Sequence, residues 1–339
     1  MTTNEPATEP PPQPIPKSKA GPSTPVPSET ARPKRRRRLG LILLGVIPAL
    51  FLAGTAGAFW TGYSLYDQPF VWYNTNRIAA TADRAGHGMG APIVVALGGP
   101  TLRHATLDED GMGKSAARAG IERLQFLRIV HEHAQFADFE PMLGAILKIK
   151  PDLVLLDLDL LFAERHTLAD LRSYGSVVTG MALAGKPYLA DQIAIQYDKP
   201  CRAPDPNGRT AADVDRRVAE ARSIVALDPD SPAFEAVRRF ADQARAAGTR
   251  VALLHLRRPS SFEERMYGPG NSYLPAALAR VNAQAGLPVW RFPDSLHKSA
   301  NYCRSGALGP DGRKAYSQWL SAGIAQVLSQ PRVEEAALR

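Results

Sequence analysis

Cysteine is nearly absent from this chain. Two occur in 339 residues, Cys201 and Cys303, too few for a zinc site built from thiolates. Histidine spacing offers no metal site either. In His131-Glu132-His133 the two imidazoles stand two residues apart, whereas two ligands on one helical face need four. Gly113-Lys114-Ser115 imitates the end of a phosphate-binding loop, but the glycine required five residues earlier is Asp108. No metal and no cofactor are expected. There is no internal repeat, which excludes solenoids and propellers. Basic charge is also missing where a nucleic-acid surface would need it. Residues 1–38 hold eight Lys/Arg and three Glu, a net +5 of the chain's +8, so the rest is close to balanced and no nucleic-acid partner is expected.

A further absence organises the whole chain: no charged residue lies between Arg38 and Asp67. Residues 39–60 are an apolar run of the length that crosses a bilayer, since about 20 residues at 1.5 Å each cover the ~30 Å hydrocarbon core. Arg35, Arg36, Arg37 and Arg38 abut its start, and Trp60 and Tyr63 follow at its far end, where interfacial aromatics belong. Pro48 lies inside it. The arginine run predicts an N-terminus in the cytoplasm and everything after Trp60 outside, in a single-pass inner-membrane protein. The competing reading is a signal peptide cleaved near Ala56-Gly57-Ala58, against which stand a long apolar run and a very long preceding segment.

Around that run the chain divides into five parts. Residues 1–38, rich in Pro, Ser, Thr and Glu until the basic cluster, read as a disordered cytoplasmic tail. Residues 61–90, ending in Gly-His-Gly-Met-Gly, read as a juxtamembrane stalk. Residues 91–328 read as one extracytoplasmic domain, and 329–339 as a tail. Within the domain, aliphatic runs at 92–97, 124–130, 151–160, 250–256 and 288–292 predict buried strands. Helices are expected at 139–148, 273–284 and 312–328. A further helix should begin at Ser231-Pro232, serine capping and proline at the first position, and stop at Gly248. Alternating strands and helices define an α/β domain with a parallel sheet and helices on both faces.

Two stretches carry a family likeness. The first strand ends in Gly98-Gly99-Pro100-Thr101-Leu102-Arg103. Near the C-terminus stand Arg304-Ser305-Gly306-Ala307-Leu308-Gly309-Pro310-Asp311-Gly312-Arg313 and then Tyr316-Ser317-Gln318-Trp319-Leu320. Together these resemble the SGNH (GDSL-type) hydrolase superfamily, in particular its membrane-anchored members near bacterial polysaccharide O-acetylation. The run from Lys150 to Leu161 is similar to that family's third strand. The resemblance implies a three-layer, flavodoxin-like parallel sheet behind one transmembrane helix, and a role in envelope or exopolysaccharide modification beside biosynthetic membrane proteins. It departs at the chemistry. Pro100 stands where the family has its nucleophilic serine, Arg304 where it has aspartate, and Ala307 where it has histidine.

Three functions follow. One is a non-catalytic binding or assembly subunit. Another is an O-acyltransferase or esterase using Thr101 as nucleophile, His297 as base and Asp294 as the orienting carboxylate, from Asp294-Ser295-Leu296-His297. The third is a structural envelope protein. Ligands in such sheets bind beyond the carboxyl ends of the strands. That places Gly98, Gly99, Arg103 and His104 after the first strand, and Asp159 with Asp157 after the third, as candidate ligand-binding residues; Arg103 and His104 suit an acidic sugar or carboxylate. In an oxidising compartment Cys201 and Cys303 are free to pair, and equally to remain thiols.

Overall fold

The computed structural model describes residues 33–87, 90–131, 134–161, 228–256, 260–303 and 307–330, together with 171, 174, 175, 215 and 258. Helix α1 (Pro33–Gly62) passes through a π-helical turn at Tyr63–Asp67 into α2 (Gln68–His87). There follow β1 (Ile93–Gly98), α3 (Pro100–Ala105), α4 (Glu109–Arg118), β2 (Gln125–Val130), α5 (Phe136–Lys148) and β3 (Leu153–Asp157). Beyond these come α6 (Pro232–Ala246), β4 (Arg250–His255), α7 (Ser260–Tyr267), α8 (Leu274–Ala285), β5 (Val289–Arg291) and α9 (Pro310–Leu328). The five strands form one all-parallel sheet in the order β2-β1-β3-β4-β5.

Side chains alternate along each strand, and the alternation sorts the strand side chains between two apolar clusters, while Phe262, Met266, Tyr267 and Leu274 form a third, smaller one. Val95, Leu97, Val154, Leu156, Val251 and Leu253 join Phe139 and Ile146 of α5 and Val237 and Phe240 of α6. Val94, Ala96, Leu153, Leu155, Ala252 and Leu254 join Leu102 of α3, Met112 of α4 and Tyr316, Leu320 and Ile324 of α9. All of β1 and β3 is buried, as a parallel sheet covered on both sides requires.

The caps are those the residues prescribe. Ser231 Oγ accepts from the N–H of Phe234 at the start of α6, and Gly248 beyond its end has φ +77°, the left-handed region open to glycine. Proline occupies the first turn of α3, α6, α8 and α9, where no N–H is needed.

Residues 61–90, expected as a stalk, contain α2, and Phe70, Ile78 and Ala85 of that helix are buried in the first cluster. Its inward face also carries Asn74 and Thr81, both buried. Asn74 Nδ2 donates to the carbonyl of Phe70 and Thr81 Oγ1 to that of Arg77, so both polar groups are satisfied within the helix. Helix α1 is of another kind. Its Leu44–Gly62 segment, 19 residues with mean hydropathy 1.5, is long and apolar enough to cross a membrane, and Leu44, Ile47, Leu50, Phe51, Leu52 and Trp60 are exposed along it. The helix continues on both sides of Pro48.

Candidate functional site

The strand order reverses direction at β1 and β3: the chain moves outward from β1 to β2, then returns past β1 to β3. In open α/β sheets such a switch point is where ligands bind, in the crevice outside the carboxyl ends of the strands. Leu97 is level with Leu156, so the next residues, Gly98 and Asp157, stand side by side. A Cβ on Gly98 would lie 2.7 Å from Asp157 Cβ and 3.0 Å from Leu102 Cδ2; only glycine fits. Gly99 is extended (φ −92°, ψ −172°) and caps α3, with Pro100 as its first residue.

Asp157 braces this turn. Its Oδ2 accepts from the Gly99 N–H (3.3 Å) and its Oδ1 from the Asp159 N–H (3.1 Å). Burial, and then the charge of Asp159, push its pKa up to about 7; the two N–H donors and Arg258 pull the other way. Asp159 is paired outward, its Oδ2 2.7 Å from Arg258 Nη2. The Arg258 guanidinium lies over the Phe262 ring at 4.8 Å, and its backbone N–H donates to Glu263 Oε1. Across the turn, Tyr316 of α9 stacks on Phe292, centroids 5.1 Å apart. Its hydroxyl is buried with no hydrogen-bond partner among the described residues. Burial and then the Asp157 charge hold it protonated, with a pKa well above the usual phenol range.

A cationic cluster surrounds the end of α3. Arg128, 2% exposed, reaches out of β2 to donate through Nη1 to the carbonyls of Arg103, Thr106 and Leu107 and to the Thr106 hydroxyl, each within 3.1 Å. Arg313 Nε donates to the Thr106 carbonyl as well. These guanidiniums satisfy the orphan carbonyls that a helix C-terminus leaves. His104 sits beside them, with Nε2 3.4 Å from Arg103 Nη2. Burial first, then Arg103, Arg313 and Arg128, lower its pKa to about 4, so the imidazole is neutral at pH 7.

The expected residues fall as follows. Gly98, Gly99 and Asp159 meet around Asp157 at the crevice, and Arg103 and His104 lie one turn along α3. Thr101 is half-buried near the start of α3, above β1. Asp294 and His297 lie on and just after a short 3₁₀ turn (Asp294–Leu296) beyond β5. β5 is three places from β1 in the sheet, about 14 Å at 4.8 Å per strand. Asp294 is exposed, and both of its oxygens accept from Arg291 Nη2, at 3.0 and 3.1 Å. Cys303 is disulfide-bonded; Cys201, the chain's only other cysteine, lies outside the described residues, as do Glu132, His133 and Arg304. Gly113-Lys114-Ser115 is interior to α4. Among the described residues no His/Cys/Asp/Glu group is arranged to hold a metal.

Sequence reasoning missed Arg128, Arg313, Arg258 and Tyr316. Arg128 had a signal: a lone charge inside the apolar strand Phe126-Leu127-Arg128-Ile129 needs a buried partner set. No family model matches the chain, and no curated protein matches it.

Proposed function

We propose that the chain is a single-pass membrane protein whose α/β domain is a three-layer, SGNH-like module on the extracytoplasmic side. There it serves envelope or exopolysaccharide modification as a non-catalytic binding or assembly subunit. The observation that carries the reading is the β1 turn. Buried Gly98 is followed by Gly99 as the cap of a helix, the place where the resembled family carries its nucleophile, but the helix opens with Pro100, which has no hydroxyl. The supporting carboxylate, Asp157, is buried and committed to two backbone N–H groups, so it holds the turn in shape. The exposed Arg291 engages Asp294. Gly99, Arg103, His104 and the Asp159–Arg258 pair remain as the groups with which the crevice meets a polar ligand.

The test is hydrolysis of p-nitrophenyl acetate by the detergent-solubilised full chain and by its Thr101→Ala variant. The reading expects the two to be indistinguishable. Turnover lost in Thr101→Ala would establish the acyl-transfer reading, with Thr101, His297 and Asp294 as its triad.

A further inference from the structure

The exit of α1 is fastened to the carboxyl edge of the sheet. Asp67, the last residue of the π-helical turn, lies with Oδ1 3.8 Å from His131 Nε2. His131 follows directly on β2, and its N–H donates to the carbonyl of Gly98 at the crevice. Its Nδ1 is 3.4 Å from Asp138 Oδ2 in the first turn of α5, and that same oxygen accepts the Gln135 N–H. The imidazole thus stands between two carboxylates from different elements, with Phe70 edge-on against it at 4.7 Å. Tyr174 closes the other side. Its hydroxyl donates to Asp67 Oδ2, its ring packs on Phe59, and a Cβ on Gly62 would lie 2.1 Å from that ring. Gly62 leaves the space the tyrosine fills.

We infer that this fastening holds the carboxyl edge of the sheet, and with it the crevice at Gly98–Gly99, against the headgroup layer of the outer leaflet. The inference rests on α1 spanning a membrane. Granted that, the distance is short. Five residues separate Gly62 from Asp67, at most about 8 Å of helix whatever its tilt. One headgroup layer is itself about 5–8 Å deep, half the difference between the full and hydrocarbon thicknesses of a bilayer. Exposed Trp60 and Tyr63 mark the boundary, as aromatics do at membrane interfaces. The edge of the sheet that binds ligands is therefore the edge nearest the lipid, and the partner of this face is the bilayer surface.

Energy transfer to the membrane tests this. Ser295 at the carboxyl edge and Glu122 in the loop preceding β2, at the opposite edge, are both exposed. Full-length Ser295→Cys and Glu122→Cys would each carry a donor dye on the introduced thiol, because no described cysteine is free. Each would be reconstituted into liposomes bearing acceptor on the lipid headgroups. A six-residue strand is about 20 Å long. The Ser295 label is expected to transfer more efficiently, at a distance shorter by about 15–20 Å. Equal transfer, or stronger transfer from the Glu122 label, in protein that floats with the liposomes overturns this inference alone. Protein that does not float overturns the membrane reading beneath it.

Discussion

Replacing Asp157 with asparagine should make the domain more stable at pH 8 and flatten its response to pH. The carboxyl is buried, with a pKa raised to about 7, against about 3.9 in the unfolded chain. Below pH 4 it is protonated in both states and its stabilising contribution is fully present. Between pH 4 and pH 7 the unfolded chain releases the proton while the folded site retains it. Stability therefore falls as pH rises through that window, and levels off above it. Three pH units correspond to about 4 kcal/mol at most. Asparagine cannot ionise, so it escapes that loss, but its amide supplies one acceptor oxygen where the carboxylate uses two for Gly99 and Asp159. One unmade hydrogen bond costs about 1 kcal/mol. Asp157→Asn is expected to be less stable than the wild type by about 1 kcal/mol at pH 4 and more stable by about 2–3 kcal/mol at pH 8. For a domain of this size that is a rise in Tm of roughly 5–10 °C at pH 8. Thermal unfolding of the full chain in mild detergent, followed by near-UV circular dichroism at both pH values, reads the effect. Parallel pH dependence in the two proteins would refute the reasoning.

Other outcomes follow from the same geometry. Gly98→Ala forces a methyl to within 2.7 Å of Asp157 Cβ and should destabilise by about 1–3 kcal/mol, measured as a lowered Tm. Arg128→Met strands the carbonyls of Arg103 and Leu107 and leaves Arg313 alone on that of Thr106; a loss of at least about 2 kcal/mol is expected, with faster amide exchange at the end of α3. The depressed His104 pKa acts with the opposite sign to Asp157: stability is present above pH 6.5 and falls as pH drops toward 4. A His104→Gln variant should accordingly lose less stability than the wild type over that interval. Cys303 is bonded, and closing a loop of about 100 residues stabilises by up to ~4.7 kcal/mol in the chain-entropy model. Dithiothreitol should therefore lower the Tm of the wild type and leave Cys303→Ser unchanged.

The strands were legible because burial on both faces leaves only aliphatic side chains: Ile93–Leu97 and Leu153–Leu156 announce themselves without any periodicity. The start of α6 was legible because Ser231 and Pro232 leave little choice of conformation. Helix α2 was not, although its buried positions 70, 74, 78, 81 and 85 follow a helical period. Two of the five are polar and are satisfied by their own helix, so an apolar count passes over them. Helix α3 is only six residues long, and its end is held by tertiary partners, Arg128 and Arg313, that no local pattern reveals. At the site, the glycine turn and the paired aspartates were visible as residue types. What sequence does not carry is register: that Gly98 and Asp157 stand abreast is a property of the β1–β3 pairing. Nor does it carry the strand order, which sets β1 and β5 three places apart in the sheet.

The account depends most on the topology set by Arg35–Arg38 and the Leu44–Gly62 segment. Alkaline phosphatase, which is active only outside the cytoplasm, fused after Arg339 in a bacterial host reports that topology directly. Full enzymatic activity on intact cells, with the fusion in the membrane fraction, is the predicted result. A silent phosphatase paired with a fluorescent cytosolic reporter at the same position would contradict it.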